Sequence, residues 1–178
     1  MLRFEEPHAA LQDSYRDLIR EFRDANEPLV PFPLSFPNED FSAFLTRLAG
    51  CAQGVGIPSG FVSHSTYWLV SDGEVVGVSN LRHALTDALR HEGGSIGYGI
   101  RPSARGRGFA KEILRQTLIR ARELGLTEVW LTCDQTNLAS ICTILSQGGL
   151  FISEELLEDR QDIVRRYRIV IDLNSESR

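Results

Sequence analysis

Gly97-Tyr98-Gly99-Ile100-Arg101-Pro102-Ser103-Ala104-Arg105-Gly106-Arg107-Gly108-Phe109-Ala110-Lys111 carries an apolar strand through a basic glycine loop into an amphipathic helix. Small residues at Gly106, Gly108 and Ala110 let the main chain approach an anion closely. A helix that begins there aims its unshared N–H groups and the positive end of its dipole at that anion. Arg105, Arg107 and Lys111 supply mobile positive charge around it. The expected ligand is a diphosphate. Two common phosphate loops do not fit: a P-loop needs Ser or Thr after its lysine, but Glu112 follows Lys111, and a dinucleotide fingerprint counted from Gly106 needs a small residue where Lys111 stands. An unrelated nucleotide-binding protein is thereby disfavoured.

The pattern that does fit is Arg/Gln-x-x-Gly-x-Gly/Ala, met by Arg105, Gly108 and Ala110 after a strand ending Ile100-Arg101-Pro102. Here the chain resembles the GNAT family of N-acetyltransferases. The likeness continues through a helix Gly108–Gly125, a strand Glu128–Cys133, and Asp134-Gln135-Thr136-Asn137 opening a helix that ends near Gly148-Gly149. Gly93-Gly94-Ser95-Ile96-Gly97-Tyr98, Leu131-Thr132-Cys133-Asp134 and Arg165-Arg166-Tyr167 are similar to a branch of bacterial predicted acetyltransferases. The likeness spans Tyr67 to Asp172.

The resemblance implies acetyl-CoA as co-substrate and no metal. The main chain and side chains of Arg105, Gly106, Arg107, Gly108, Phe109, Ala110 and Lys111 are expected to hold its pyrophosphate, the strand edge Tyr98–Ile100 its arm, and Asn137 to hydrogen-bond that arm. A strand amide near Ile100 is expected to polarise the thioester carbonyl. The implied activity is direct acetyl transfer to a primary amine of a small molecule or a protein. The rival is a catalytically silent acyl-CoA-binding sensor or interaction module.

An ammonium acceptor must lose a proton, so a carboxylate or imidazole is sought near the sulfur end. The position that the family's spacing suggests is Gly94, which has no side chain. Glu92 lies two residues upstream on the same face if the strand extends that far, and His83 and Asp134 compete with it. Tyr98 shares the face of Glu92 by parity, with core packing as its bland alternative. Many family members carry a tyrosine seven residues after the asparagine, as acid for the departing thiolate; here that residue is Ile144. Tyr98 or Tyr167 takes that role only if the fold brings either close. Asn137 also reads as a helix N-cap, Asp134 as a turn residue, Arg105 and Arg107 as a solvated basic turn, and Lys111 as a surface residue. Trp68, Phe32 and Phe36 are candidates for an acceptor pocket, with simple packing as the commoner role of such aromatics, and residues 28–37 are a candidate lid by analogy of fold.

Length and composition set bounds. With 178 residues, 42% apolar and 24% charged, the chain suffices for one well-buried domain, a helical and proline-containing part over 1–60 and a sheet and cofactor core over 65–172. No apolar run reaches a bilayer-spanning length and Met1–Glu6 lacks a secretory h-region, so the expectation is a cytoplasmic protein without a membrane partner, monomer or homodimer. A net charge of −5 argues against nucleic acid as partner. Cys51, Cys133 and Cys142 form no C-x-x-C pair, so buried, reduced thiols are the default.

Periodicity predicts helices over Pro7–Asn26 and Asp40–Ala49, separated by an extended proline segment over 27–37. Ser65–Val70 and Val75–Leu81 read as a hairpin in which the sheet starts, followed by a short helix Leu85–Arg90 and a strand Ser95–Arg101. The helix after the loop turns Ile113, Leu114, Thr117, Leu118, Ala121 and Leu124 inward, and strands Leu150–Glu155 and Val164–Asp172 close the chain. By pattern alone the fold is α+β or mixed α/β. The resemblance adds a mixed, mostly antiparallel central sheet, flanked by helices and splayed at the cofactor strand.

Overall fold

The computed structural model describes residues 1–157 and 161–173. Strands β1 (Leu2–Glu5), β2 (His64–Ser71), β3 (Glu74–Arg82) and β4 (Ile96–Ile100) form a four-stranded antiparallel sheet in that order. Strands β5 (Glu128–Asp134), β6 (Leu150–Leu157) and β7 (Asp162–Val170) form a second, three-stranded antiparallel sheet with β7 in the middle. The helices are α1 (Gln12–Asp24), α2 (Phe41–Ala52), α3 (Asp87–His91), α4 (Phe109–Glu123) and α5 (Leu138–Ser146). Among the described residues no helix is long and apolar enough to cross a membrane.

The one continuous sheet suggested by the strand pattern is therefore divided in two, and its first strand lies earlier than the hairpin. β1 was not anticipated because a four-residue strand holds too little alternation to register. It is anchored by Phe4, whose ring stacks 5.1 Å from that of Tyr67 on β2. The β2–β3 hairpin follows its turn chemistry, with Asp72 and Gly73 both at positive φ. At the first helix, Ala9–Leu11 form a 3-10 turn and the α-helix begins only at Gln12; Leu11 at the N-cap offers no side-chain acceptor. Asp40 does cap α2, its Oδ1 accepting from Ala43 N at 3.0 Å. Within the proline segment a single 3-10 turn forms at Phe32–Ser35. After α4 the chain turns at Gly125 and Leu126 N returns to Ala121 O. Leu126 then packs inward while Leu124 is left exposed, contrary to the helical stripe.

Each face of the first sheet has its own core. Tyr15, Leu18 and Phe22 of α1 and Phe41, Phe44 and Leu48 of α2 cover Trp68, Val70, Val75 and Val78. On the other face Ile113, Leu114 and Ala121 of α4 pack over Leu81, Ile96, Ile100, Val129 and Leu131. Thr117, buried inside α4, is satisfied by Ser79 Oγ at 2.7 Å and by the carbonyl of Ile113. Burying these apolar side chains stabilises the domain by roughly 1.5–3 kcal/mol each before the entropy of ordering them is counted.

β4 is the strand around which the two sheets are arranged. Its Gly97 and Gly99 face the α1–α2 side, where the segment Val30–Pro31 lies directly on them. A Cβ on Gly97 would stand 3.2 Å from Pro31 Cβ, and one on Gly99 would collide with the carbonyl oxygen of Val30. Glycine is needed here for close approach. Gly99→Ala is expected to displace that segment and to cost about 2 kcal/mol, read as a lower urea midpoint; an unchanged midpoint would show that Val30 is not pressed against β4.

Across from Gly97, the β2–β3 pair buries polar groups. Asn80 and His64 are 1% and 3% exposed, and Asn80 Nδ2 donates to His64 Nδ1 at 2.8 Å. Burial, reinforced by the charges of Arg82, His83 and Arg47, lowers the His64 pKa from 6.5 to about 4. The unfolded chain then takes up this proton below pH 6.5 while the folded one does so only near pH 4. Stability on this account is complete above pH 6.5, falls between 6.5 and 4 by about 3 kcal/mol, and levels off below. His83, lowered by burial as well, adds in the same direction. Urea titrations across this window should show the slope, and His64→Gln should flatten it; the same slope in the variant would assign the effect elsewhere.

Candidate active site

After β4 the chain makes a 3-10 turn at Pro102–Ala104, then passes through Gly106 and Gly108 at φ +76° and +84° into α4. These left-handed angles turn successive N–H groups to one side, which glycine permits without strain. Lys111 N and Glu112 N return to Gly108 O at 3.1 and 3.2 Å, closing the first turn of the helix. The N–H groups of Gly106, Arg107, Gly108, Phe109 and Ala110 meet no acceptor from the described residues. The space beside Gly106 and Gly108 is open, since a Cβ on either would meet nothing within 4 Å. Unshared donors at a fifteen-residue helix's positive end, in open space, are an arrangement able to receive an anion.

The arginines divide their labour differently from the expectation. Arg105 is not mobile charge around the anion: it forms a bidentate pair with Glu27 at 2.7 and 2.6 Å, and its Nε donates to Ile100 O at 3.1 Å. These hydrogen bonds from Arg105 hold the Glu27 carboxyl below its ordinary range. A second clamp joins Arg101 Nε and Ser103 N to the two carboxylate oxygens of Glu21, at 2.7 and 3.0 Å. Burial opposes ionisation of Glu21, but these bonds outweigh it and its pKa is lowered. α1 and the residues just after it are thus tied to the segment that leads into the loop. Arg107, whose guanidinium lies 4.9 Å over the Phe109 ring, and Lys111 are exposed and remain to meet a ligand.

The edge of β4 that faces β5 is open beyond its first residues. Ser95 N donates to Trp130 O at 2.6 Å and Ser95 Oγ accepts from Trp130 N at 3.0 Å. Past that junction, among the described residues, no main-chain bond joins Ile96–Ile100 to β5. The bond from Arg101 N to Val76 O and the register Val78↔Gly99 place the odd-numbered residues of β4 in the ladder with β3. The N–H groups of Tyr98 and Ile100 therefore point away from β3, into the gap.

Across this gap Tyr98 Oη meets Ser140 Oγ of α5 at 3.0 Å. Burial raises the Tyr98 pKa, so its hydroxyl keeps its proton at neutral pH. Cys133 on β5 is half-buried beside the same pair, and burial raises its thiol too. Asn137 caps α5, its Oδ1 accepting from Ser140 N at 3.0 Å, and Asp134 O accepts from Asn137 N at 2.9 Å in the turn before it. Ile144 is wholly buried in the core.

Other candidates fall outside this constellation. β4 does not extend to Glu92, which ends α3 in an exposed position and is separated from the strand by Gly93 and Gly94, both at positive φ. Gly93 N donates to Thr132 Oγ1 at 3.0 Å, which still brings Glu92 to the neighbourhood of β5. His83 is engaged with Ser65 Oγ at 2.8 Å on the far side of β3. Tyr167 is 2% exposed within the second sheet. Trp68 at 0% and Phe36 at 4% are core residues and line no open pocket, whereas Phe32 at 37% does reach the surface. Cys142 is exposed on α5, against the expectation of buried thiols. Ser140 and the buried His64–Asn80 pair were missed, since neither belongs to a spaced motif; the sole hint of Ser140 was its place three residues after a helix-capping Asn.

Comparison with known proteins supplies the family. A model of the GNAT acetyltransferase domain matches residues 12–149. Among curated proteins none matches significantly. Among solved structures, a ribosomal L7/L12 alpha-N-protein acetyltransferase, determined in complex with coenzyme A as a disulfide to one of its cysteines, superposes with a TM-score of 0.71 at 15% identity, covering 97% of this chain and 96% of that one. An acetyltransferase from Salmonella typhimurium that modifies the N-terminal serine of L7/L12 gives 0.66 at 16% identity, with 96% and 95% covered. Another protein of that organism, a putative acetyltransferase with its cofactor acetyl-CoA, gives 0.65 at 12%, with 98% and 96% covered. At these identities the superpositions establish a common fold. The family model, spanning the amphipathic α1 through the anion loop to Gly149, establishes that this chain belongs to the GNAT family of acetyltransferases.

Proposed function

We propose that the protein transfers an acetyl group from acetyl-CoA directly to a primary amine of a small molecule or a protein. The observation that carries this reading is the row of unshared N–H groups from Gly106 to Ala110, placed at the end of a strand whose next amides, Tyr98 and Ile100, also lack partners. The first set suits a pyrophosphate and the second suits an arm and a thioester carbonyl running back along β4. Arg107 and Lys111 add charge at the phosphate end. Asn137, already used as a cap, offers the arm its remaining hydrogen-bonding capacity. The relatives solved with coenzyme A or acetyl-CoA bound support the same cofactor here.

In this reading the carbonyl oxygen lies against the amides of the β4 gap, where preorganised donors stabilise the tetrahedral intermediate by about 3 kcal/mol. The amine attacks the carbonyl carbon, the carbon–sulfur bond breaks, and the sulfur takes a proton from Tyr98 Oη, relayed by or shared with Ser140 Oγ. Glu92, beside the Gly93 that Thr132 holds, and Asp134, two residues beyond Thr132 on β5, are the carboxylates proposed to take the ammonium proton through water.

Two experiments bear on this. Gly108→Glu places a carboxylate in the open space of the loop and should weaken coenzyme A binding at least tenfold, whereas Gly108→Ala, which carries the same backbone cost without the charge, should weaken it far less; equal affinities for both variants would remove the loop from the cofactor site. Tyr98→Phe should lower kcat about tenfold with the acetyl-CoA KM unchanged, a modest loss because a thiol is a fair leaving group, and Ser140→Ala should fall in the same range without adding to it. Coenzyme A binding without turnover of any amine would point instead to an acyl-CoA sensor.

A further inference from the structure

On the α1–α2 side of β4 two demands are left unmet. Asn80 Nδ2 donates to His64 Nδ1 at 2.8 Å and lies 3.2 Å from Ser65 O and 3.3 Å from Thr66 Oγ1, all on β2. Because Ser65 O can only accept, the amide orientation is fixed, and Oδ1 is turned away from β2. It is buried without a partner, in a side chain 99% removed from solvent on that residue's 1% exposure. A buried acceptor without a donor costs about 1–3 kcal/mol, so an N–H group arriving there is favoured. Opposite Asn80 on β4 stands Gly97, with Pro31 over it.

The second demand is apolar. The residue after Pro31 is Phe32, whose ring lies 5.6 Å from Phe61, 4.9 Å from Phe36 and 6.2 Å edge-on to His64. Phe36 and His64 are buried, but Phe32 and Phe61 are 37% and 51% exposed, side by side. Two exposed rings above a buried polar pair form a wall that wants an apolar partner. His64 accepts at Nδ1, so its single proton is on Nε2, and the ring is neutral at physiological pH because its pKa is held near 4. The charges that act on it, Arg82 and Arg47, are both positive and His83 is the other titratable group beside it. A ligand with several ammonium groups is repelled there.

We propose that Phe32, Phe61, His64 and Asn80 form the acceptor-side specificity site, selecting a monoamine carried on an apolar or aromatic body. The rings cover the body and Asn80 Oδ1 receives an N–H opposite Gly97, one residue from Tyr98, whose amide faces the gap assigned to the thioester. This rests on the acyl-transfer reading and narrows its acceptor to a class.

The test uses the full chain with saturating acetyl-CoA, following thiol release with 2-phenylethylamine and with spermidine. The expected kcat/KM is at least tenfold higher for 2-phenylethylamine. Phe32→Ser and Phe61→Ser, checked for a parental melting temperature with coenzyme A bound, should each raise the 2-phenylethylamine KM roughly three- to tenfold, leaving the acetyl-CoA KM unchanged. Preference for spermidine, or variants whose amine KM stays within twofold of the parent, would overturn the specificity site while leaving acyl transfer intact. If neither amine releases thiol while coenzyme A still raises the melting temperature, the proposed acceptor class is wrong; thiol release from some other amine then distinguishes that failure from the failure of acyl transfer itself.

Discussion

The structure depends on β4 having one edge in a ladder and the other edge open. Its ladder with β3 holds the strand straight, and the reciprocal bonds between Ser95 and Trp130 fix where the second sheet meets it. A strand whose free amides face a protein gap rather than another strand normally invites aggregation or water. Here the gap is narrowed by Tyr98 reaching Ser140, so the amides of Tyr98 and Ile100 are partly sheltered yet unpaired among the described residues. Shelter without pairing is the condition for a donor to act on a ligand: it is desolvated, pointed and costs no reorganisation when the charge arrives.

The same economy governs the anion loop. Its basic sequence suggests side-chain recognition, but Arg105 is committed to Glu27 and Ile100, and Arg101 to Glu21. Those pairs join α1 and the residues after it to the segment 100–105, which fixes the course of the main chain leading to Gly106 and Gly108. Partly exposed ion pairs contribute little to stability one at a time. Their effect is positional: with both clamps in place, the N–H groups after Arg105 are aimed before any ligand binds. Recognition by main chain demands such support, since an amide has no side-chain torsions with which to correct its own aim.

Much of this was legible in the sequence, because the decisive elements carry strong local chemistry. The anion loop, the helix after it, the hairpin at Asp72–Gly73 and the Asn137 cap each follow from residues within one turn of each other. Their resemblance to one family supplied the mostly antiparallel sheet and its splay. What was not legible depended on contacts distant along the chain. The pairing of Arg105 with Glu27 spans 78 residues, and that of Arg101 with Glu21 spans 80. β1 is too short to show a period, and the condition that would put Glu92 on the face of β4 fails because two positive-φ glycines stop the strand before it. Trp68 and Phe36 read as core or, less often for such aromatics, as pocket, and only burial separates these roles.

The glycines of β4 explain why a proton acceptor was hard to find there. A base on this strand that faces the acceptor side would have to project from 97 or 99, the residues whose side-chain positions lie on the α1–α2 face. At 99 a Cβ would collide with the Val30 carbonyl oxygen and at 97 it would already stand 3.2 Å from Pro31 Cβ, so neither site leaves space for a carboxylate-bearing side chain. The even-numbered residues offer no alternative, because Tyr98 points to α5 and Ile100 into the core beneath α4. Close approach of the proline segment and a carboxylate on β4 are therefore mutually exclusive. The chain has the former, and with it the aromatic wall that follows Pro31. In the proposed transfer the base therefore comes from off β4, from Glu92 at the end of α3 or Asp134 on β5, and is proposed to act through water.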